Sequence, residues 1–304
     1  MTNKNSTDHR VVLVTGASSG IGRATALLLD RSGFQVFAGV RKREHGEALR
    51  QQASERLTPI PLDVTDPQSI EAAARSVADA LGDRGLAGLV NNAGIDIAGS
   101  LEKASLTEVR LQFEVNVIGL LAVTQAFLPL LRRSKGRIVN IGSVLGRLAI
   151  PFMGAYSSTK FALEGLTDAL RIELRPWDLQ VSLIEPGTVA TPLWSKTHFL
   201  AGMNEERADA AGKLYAKANA AAYSAFTKFG PSGISPERVA AKVFEALTIL
   251  NPKPRYLVGR EARALSLLAA LVPDRLRDKM LMRRFGLPQR LEGDNRVAKL
   301  DVAK

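Results

Sequence analysis

The stretch Val11-Val12-Leu13-Val14-Thr15-Gly16-Ala17-Ser18-Ser19-Gly20-Ile21-Gly22-Arg23-Ala24 reads as a strand, a tight turn and the start of a helix. Its apolar head does not alternate with polar residues, which is the pattern of a strand buried on both faces of a parallel sheet. The glycines make the turn, and 24–29 opens the helix. Glycine lets a backbone come close to a pyrophosphate, and a helix N-terminus offers free N–H donors and a positive dipole end. The spacing is Gly-x-x-x-Gly-x-Gly rather than Gly-x-Gly-x-x-Gly, so the turn by itself also fits a plain strand–helix connection.

Outward from that unit, strand and helix patterns alternate. Further strands are expected at 35–40, 58–62, 88–91, 137–141, 180–184 and 255–258. Helices are expected near 22–32, 69–81, 107–132, 154–174 and 236–250. Such alternation predicts an α/β fold, a doubly wound parallel sheet with helices on both faces. No internal repeat or low-complexity segment interrupts it. One domain is expected over 1–259, with a C-terminal helical extension over 260–304.

Four polar residues carry a chemistry: Asn116, Ser143, Tyr156 and Lys160. Tyr156-Ser157-Ser158-Thr159-Lys160 places a phenol and an ammonium four residues apart, on one face of a helix. A tyrosine ionises near pH 10, and a fixed ammonium beside it is expected to favour the phenolate and bring that value down. Tyr156 then exchanges a proton with an alcohol or carbonyl oxygen, and the Ser143 hydroxyl, thirteen residues upstream, holds that oxygen. No side chain accepts hydride, so the reaction needs a redox cofactor, for which the turn at Gly16–Gly22 supplies a seat.

Seven motifs in order make the chain resemble the short-chain dehydrogenase/reductase family over about 10–191. They are Thr15-Gly16-Ala17-Ser18-Ser19-Gly20-Ile21-Gly22, Asp63-Val64, Asn91-Asn92-Ala93-Gly94, Asn116, Ser143, Tyr156 with Lys160, and Pro186-Gly187-Thr188-Val189-Ala190-Thr191. The resemblance implies a Rossmann-type fold and a nicotinamide cofactor. It implies that Gly16, Ser18, Ser19, Gly20, Ile21 and Gly22 cradle the pyrophosphate. Asp63 and Val64 would reach the adenine, although Asp63 beside Thr65-Asp66-Pro67 also reads as a turn acid. Asn91, Ala93 and Gly94 would both brace the sheet and line the adenine pocket. Lys160 would bind the nicotinamide ribose beside Tyr156, and Asn116 would hold a water linking Lys160 to solvent. Pro186, Gly187, Val189 and Thr191 would orient the carboxamide, with transfer from the pro-S face. The second strand ends Val40-Arg41-Lys42-Arg43, without the acid that NAD-preferring relatives carry. A guanidinium suits a 2′-phosphate, so Arg41 points to NADP(H) rather than NAD(H).

The totals narrow the classes. There is no cysteine, which excludes disulfides, thiolate metal sites and cysteine nucleophiles. The three histidines, His9, His45 and His198, have no ligand spacing, so no catalytic metal is expected. Residues 1–10 are polar with no apolar core, and the nearly apolar run 264–272 is too short to span a bilayer. A cytoplasmic protein is expected. The net charge of +11 is concentrated late, with 13 Lys/Arg against 6 Asp/Glu over 251–304. No helix-turn-helix or aromatic stacking platform accompanies it, so nucleic acid is not expected as a partner.

Two segments bear on substrate and partners. The stretch 192–230 mixes alanines with Leu193, Trp194, Phe199, Tyr215, Tyr223 and Phe226, and reads either as an apolar lid or as packing on the body. With the apolar segment 144–153 it favours a lipophilic alcohol or ketone. The extension 260–287 alternates Leu265, Leu268, Leu276 and Phe285 with arginines, and Pro273 divides it into two helices. A basic amphipathic face of this kind lies on a membrane, packs on the body or meets a partner subunit. It resembles the steroid, retinol and hydroxybutyrate dehydrogenase branch, and the family resemblance implies a homodimer or homotetramer. Two other functions stay open: a non-catalytic NADP(H)-binding sensor or scaffold, and an enzyme for small polar hydroxy or keto acids.

Overall fold

The computed structural model describes residues 10–192, 222, 224 and 232–287. Its seven strands are β1 (Val11–Val14), β2 (Gln35–Val40), β3 (Leu57–Pro61), β4 (Gly88–Asn91), β5 (Arg137–Ile141), β6 (Gln180–Pro186) and β7 (Arg255–Val258). They form one parallel sheet in the order β3-β2-β1-β4-β5-β6-β7. Among the described residues the helices are α1 (Gly20–Arg31), α2 (Arg43–Arg50), α3 (Pro67–Leu81), α4 (Leu106–Phe113) and α5 (Gly119–Ser134). They continue with α6 (Gly154–Glu173), α7 (Pro236–Thr248), α8 (Arg260–Leu271) and α9 (Asp274–Arg284).

The doubly wound reading of the pattern holds, and the pleat of β1 shows why. Val12 and Val14 point into a layer with Leu29 of α1 and Val239 and Val243 of α7, whereas Val11 and Leu13 point into a layer with Val77 of α3 and Phe127 of α5. Both faces of the strand are buried, so neither position parity admits a polar residue. The chain reverses its direction of winding between β1 and β4, which opens a crevice beyond their carboxyl ends.

Two local features differ from expectation. Residues 43–50 form helix α2, with an Arg43–Glu47 pair on its exposed side, a helix that was not among those expected. The single helix expected over 107–132 is broken by a π-helical turn, Glu114–Ile118, with Asn116 at its centre. Such bulges displace one side chain from the ordinary face and concentrate at functional sites. The continuous run Leu106–Ser134 is long and apolar enough to cross a bilayer, yet 56% of that window is buried inside the domain, where it packs on the sheet as a core helix. The break expected at Pro273 separates α8 from α9.

Candidate active site

The turn after β1 is built around two glycines. Gly16 has φ +64, and a Cβ there would lie 2.8 Å from the Ala93 Cα, so only glycine fits both the dihedral and the approach. A Cβ on Gly22 would lie 2.3 Å from Asn92 Nδ2 and 2.4 Å from the Gly16 carbonyl oxygen. Asn92 stitches the turn shut, its Nδ2 donating to the carbonyls of Thr15 (3.0 Å) and Gly16 (3.1 Å). The Thr15 hydroxyl accepts from the N–H groups of Asn92 and Ala93 at 2.9 and 3.0 Å. The Asn92 side chain, which the sequence reading passed over, therefore fixes the cradle. The start of α1 has no acidic residue in its first turn and no side-chain cap from Ser19, so its N–H donors face the crevice unclaimed by the helix's own side chains. That donor set fits a pyrophosphate.

Other expected cofactor positions lie around this mouth. Thr191 meets Gly20, at 3.1 Å from where a Cβ would be. Val189 bridges to Ile234, and the N–H of Thr188 donates to Glu261 at the start of α8 (2.9 Å), which ties the loop after Pro186 and Gly187 to the extension. Arg41 is exposed at the end of β2. Its neighbours Lys42 and Arg43 pair with Glu44 and Glu47, while among the described residues no acid recruits Arg41. Asp63 Oδ1 accepts from the Thr65 N–H (3.0 Å) and hydroxyl (2.8 Å), an Asx turn that uses one of its oxygens. Asn91 braces the sheet: its Nδ2 donates to Thr124 and to Asn140 Oδ1, each at 2.9 Å. Val64 and Ala93 pack on the apolar layer beneath, and Gly94 lies against Asn116.

The four chemistry-bearing residues converge from three elements. Ser143 follows β5 in extended backbone and accepts from the Leu145 N–H at 3.1 Å, which starts a short 3-10 turn and orients the hydroxyl. Phe152, in the left-handed region at φ 66 with its carbonyl accepting from Gly99, sets the entry angle of α6. Tyr156 and Lys160 then project from the first turns of α6, with the Lys160 Nζ 5.5 Å from the phenol ring centroid. Lys160 is buried and donates to the Ile141 carbonyl at 2.9 Å. Asn116 spans the gap: its Oδ1 accepts from the Ile95 N–H, and its Nδ2 donates to the Ile95 carbonyl (2.9 Å each) and to Thr159 (3.1 Å).

The electrostatics correct one expectation. Tyr156 keeps some exposure as a residue, but its titrating end lies deep, and burial pushes the phenol well above the ordinary tyrosine range; the nearby Asp96 charge adds to this and a hydrogen bond with Ser143 opposes it. The Lys160 ammonium, 5.5 Å from the ring centroid, does not offset that burial. Lys160 itself is brought down to about 8 by burial, against the pull of Asp96. At neutral pH the arrangement is a protonated phenol beside a charged ammonium. A phenol of that kind is a proton donor.

Around Tyr156 the wall is apolar. Ala98, Phe152, Met153, Ala222 and Phe285 form a buried cluster against which Leu145, Ile150, Tyr156, Leu281 and Leu287 pack. The end of α9 and the residues after it therefore reach the site, which the sequence reading of the extension did not foresee. The other lid residues named for 192–230, from Leu193 to Phe226, lie outside the described residues.

With this geometry in view, comparison with known proteins is direct. Residues 10–199 match the family model for short chain dehydrogenases, and the chain belongs to that family. It is 37% identical over 277 residues to retinol dehydrogenase 5 of Mus musculus, covering 89% of this chain and 87% of that protein. It is 37% identical over 286 residues to 17-beta-hydroxysteroid dehydrogenase type 6 of Bos taurus, covering 92% of this chain and 90% of that one. A solved short chain dehydrogenase from Burkholderia cenocepacia, in complex with NADP, superposes with a TM-score of 0.69 at 26% identity over 93% of this chain and 99% of its own. The protein is an oxidoreductase that uses a nicotinamide cofactor and a small-molecule substrate.

Proposed function

We propose that the protein is an NADP(H)-dependent dehydrogenase/reductase for a lipophilic secondary alcohol and its ketone or aldehyde. The observation that carries the substrate class is the apolar cluster closing on Tyr156 from Phe152, Met153, Phe285 and Leu281. A sugar's hydroxyls would find few partners there, and each left unpaired would cost on the order of 1–3 kcal/mol. The retinol and steroid names of the relatives agree with that reading. NADP(H) over NAD(H) rests on Arg41, an exposed guanidinium at the end of β2.

The Gly16–Gly22 turn, Arg41, Asp63, Lys160 and the loop 186–191 would hold the cofactor, which supplies or accepts hydride when bound. The chain's own residues do the rest. Ser143 and Tyr156 hold the substrate oxygen, and Tyr156, kept protonated by burial, gives its proton to that oxygen in the reducing direction. Lys160, charged below about 8, stabilises the phenolate that this leaves behind. Asn116 locks Ile95 and Thr159 so that the phenol and the ammonium keep their spacing.

Further parts of the reading concern assembly. Ile118, Phe161 and Ile172 are large apolar side chains left exposed around α5 and α6, which suits a homodimer or homotetramer through those helices. A cytoplasmic enzyme with peripheral membrane contact through α8 and α9 fits their exposed leucines and arginines. The deciding experiment is NADPH consumption over a panel of ketones, from short keto acids to steroids and retinal, with Tyr156→Phe as the blank. Turnover on the lipophilic members, lost by roughly 10²–10⁴-fold in the variant, is the expected result. Turnover confined to small polar ketones would overturn the substrate class, and unchanged turnover in Tyr156→Phe the mechanism.

A further inference from the structure

One buried carboxyl at the site has no part in the proton route. Asp96 sits two residues beyond Gly94, in a strap that crosses from β4 toward the apolar cluster. The strap is pinned on both sides of it: Asn116 holds Ile95, and the Gln112 side-chain oxygen accepts from the Ile97 N–H. Asp96 is only 5% exposed, and its Oδ1 is fully enclosed with no donor among the described residues. From α4, the Gln112 Nε2 is likewise enclosed without an acceptor. From α6, the Tyr156 phenol and the Lys160 ammonium are the charged or titratable groups within electrostatic reach. Lys160 gives its hydrogen bond to Ile141 and not to Asp96. Ala98, next along the strap, belongs to the apolar wall.

A carboxylate buried without a cationic partner is among the most costly things a protein can hold, by several kcal/mol even after relaxation. Burial pushes Asp96 up to about 7, with Lys160 only partly opposing, so the chain leaves the group at the edge of ionisation. Its negative charge also works against ionisation of Tyr156. A donor brought by the substrate would resolve both. A hydroxyl would satisfy one lone pair and leave the charge uncompensated, whereas an ammonium supplies both a donor and the counter-charge.

We propose that Asp96 is a specificity-determining residue that binds an ammonium group close to the reacting carbon, so that the preferred substrates are long-tailed amino alcohols and their amino ketones. The apolar tail lies in the Phe152–Phe285 cluster, the reacting oxygen on Ser143 and Tyr156, and the amine on Asp96. No bond other than the carbon–hydrogen and oxygen–hydrogen bonds of the dehydrogenation changes; the amine stays protonated throughout. This inference rests on the lipophilic-substrate reading and narrows it.

The test uses the full chain saturated with NADPH and titrated by calorimetry with hexyl-, octyl- and decylamine and with the matching 1-alkanols. In the wild type the amine is expected to bind roughly 10- to 100-fold more tightly than the alcohol of equal length at neutral pH, as one charge-assisted hydrogen bond provides. Asp96→Asn, which keeps the shape, should erase that preference by weakening the amine alone. A second measurement needs no variant: in the wild type the preference should fade as pH is lowered well below about 7, where the carboxyl takes up a proton. Equal affinity for amine and alcohol in the wild type, or a preference untouched by both Asp96→Asn and acid, overturns the assignment. The tail series reads the other claim separately. Affinity that fails to rise from hexyl to decyl overturns the lipophilic reading, whatever the amine does.

Discussion

The side-by-side placement of Tyr156 and Lys160 was legible because a helix puts positions four apart on one face, and the proposed mechanism makes that pair an acid and its charge support. What the spacing could not show is depth. Burial raises the phenol and lowers the ammonium, and it is the lysine, at about 8, that falls within working range. The pH dependence of reduction follows from that. Below about 8 Lys160 is charged and supports the phenolate left by proton transfer; above it the charge is lost, so kcat/KM for ketone reduction is expected to fall on the alkaline side with an apparent pKa near 8. Lys160→Arg, which stays charged, should remove that limb even if the rate at neutral pH drops. A pH–rate profile of both proteins checks it, and an alkaline limb that survives in the arginine variant counts against Lys160 as its source. On the proposed NADP(H) reading Arg41 carries most of the cofactor preference, so Arg41→Ala should raise KM for NADPH by roughly 10- to 100-fold while leaving KM for NADH nearly unchanged. Asp96 and Asn92 escaped the sequence reading for opposite reasons. Asn92 stood inside a motif whose other members drew the cofactor roles. Asp96 had a visible signal, a lone acid between Ile95 and Ile97 just after a strand end, but nothing in the pattern says that such an acid is enclosed.

Strands, whose burial on both faces leaves no polar choice, and the long helices alike could be placed to within about two residues; the short charged helix and the π-turn could not. Helix α2 was missed because Arg43-Glu44-His45-Gly46-Glu47 carries a charged, glycine-containing pattern, and its stability comes from Leu49 reaching the core beneath. The π-turn at Asn116 has no period of its own to read. A network between elements was equally invisible. Arg147, just past the Ser143 turn, pairs with the fully buried Glu185 of β6 and reaches Ser266 of α8, while Glu164 of α6 faces Glu185 and accepts from Arg255 of β7. Glu164 Oε1 has no ordinary donor, and burial together with a hydrogen bond to Glu185 pushes Glu164 up to about 7. The sign for stability is fixed by that direction. A carboxyl whose folded value exceeds its unfolded one stabilises fully at pH below the unfolded value, and this contribution is lost as pH rises through about 7. Stability of the wild type should therefore decline between roughly pH 4.5 and 7 relative to Glu164→Gln, whose amide donates to Glu185 at every pH, by at most about 1.4 kcal/mol per pH unit. Urea unfolding across that range measures the difference. Parallel curves for the two proteins would show that burial does not hold the Glu164 proton.

At the scale of the whole molecule the question is what the late-chain charge does. The net +11 is compatible with an ordinary solvated surface, and a count of charges alone cannot separate that from a membrane-facing side. The arrangement of α8 and α9 is more informative than the count. On the inward side of the two helices, Ala262 of α8 is buried against the loop at Gly187, and Leu281 of α9 with Phe285 just after it reaches the apolar cluster at Tyr156. Their outward residues include Leu267, Leu271, Leu276 and Met280, which are 59%, 75%, 53% and 46% exposed and interleaved with the exposed Arg263, Arg275, Lys279 and Arg283. Apolar side chains set among cations suit an anionic lipid surface, where each Lys or Arg contributes about 1 kcal/mol and the leucines enter the acyl boundary. The same helix would then touch lipid on one side and wall the site on the other, a short path for a lipophilic substrate. The full chain is expected to pellet with vesicles containing anionic lipid, to pellet weakly with neutral ones, and to be released by salt of about 0.5 M. Leu271→Glu with Leu276→Glu and Met280→Glu should abolish pelleting while turnover of a soluble ketone stays close to wild type, because none of the three belongs to the inward cluster. Pelleting that survives the triple substitution would place the basic face in solvent or against a second subunit, and the membrane reading would have to be given up.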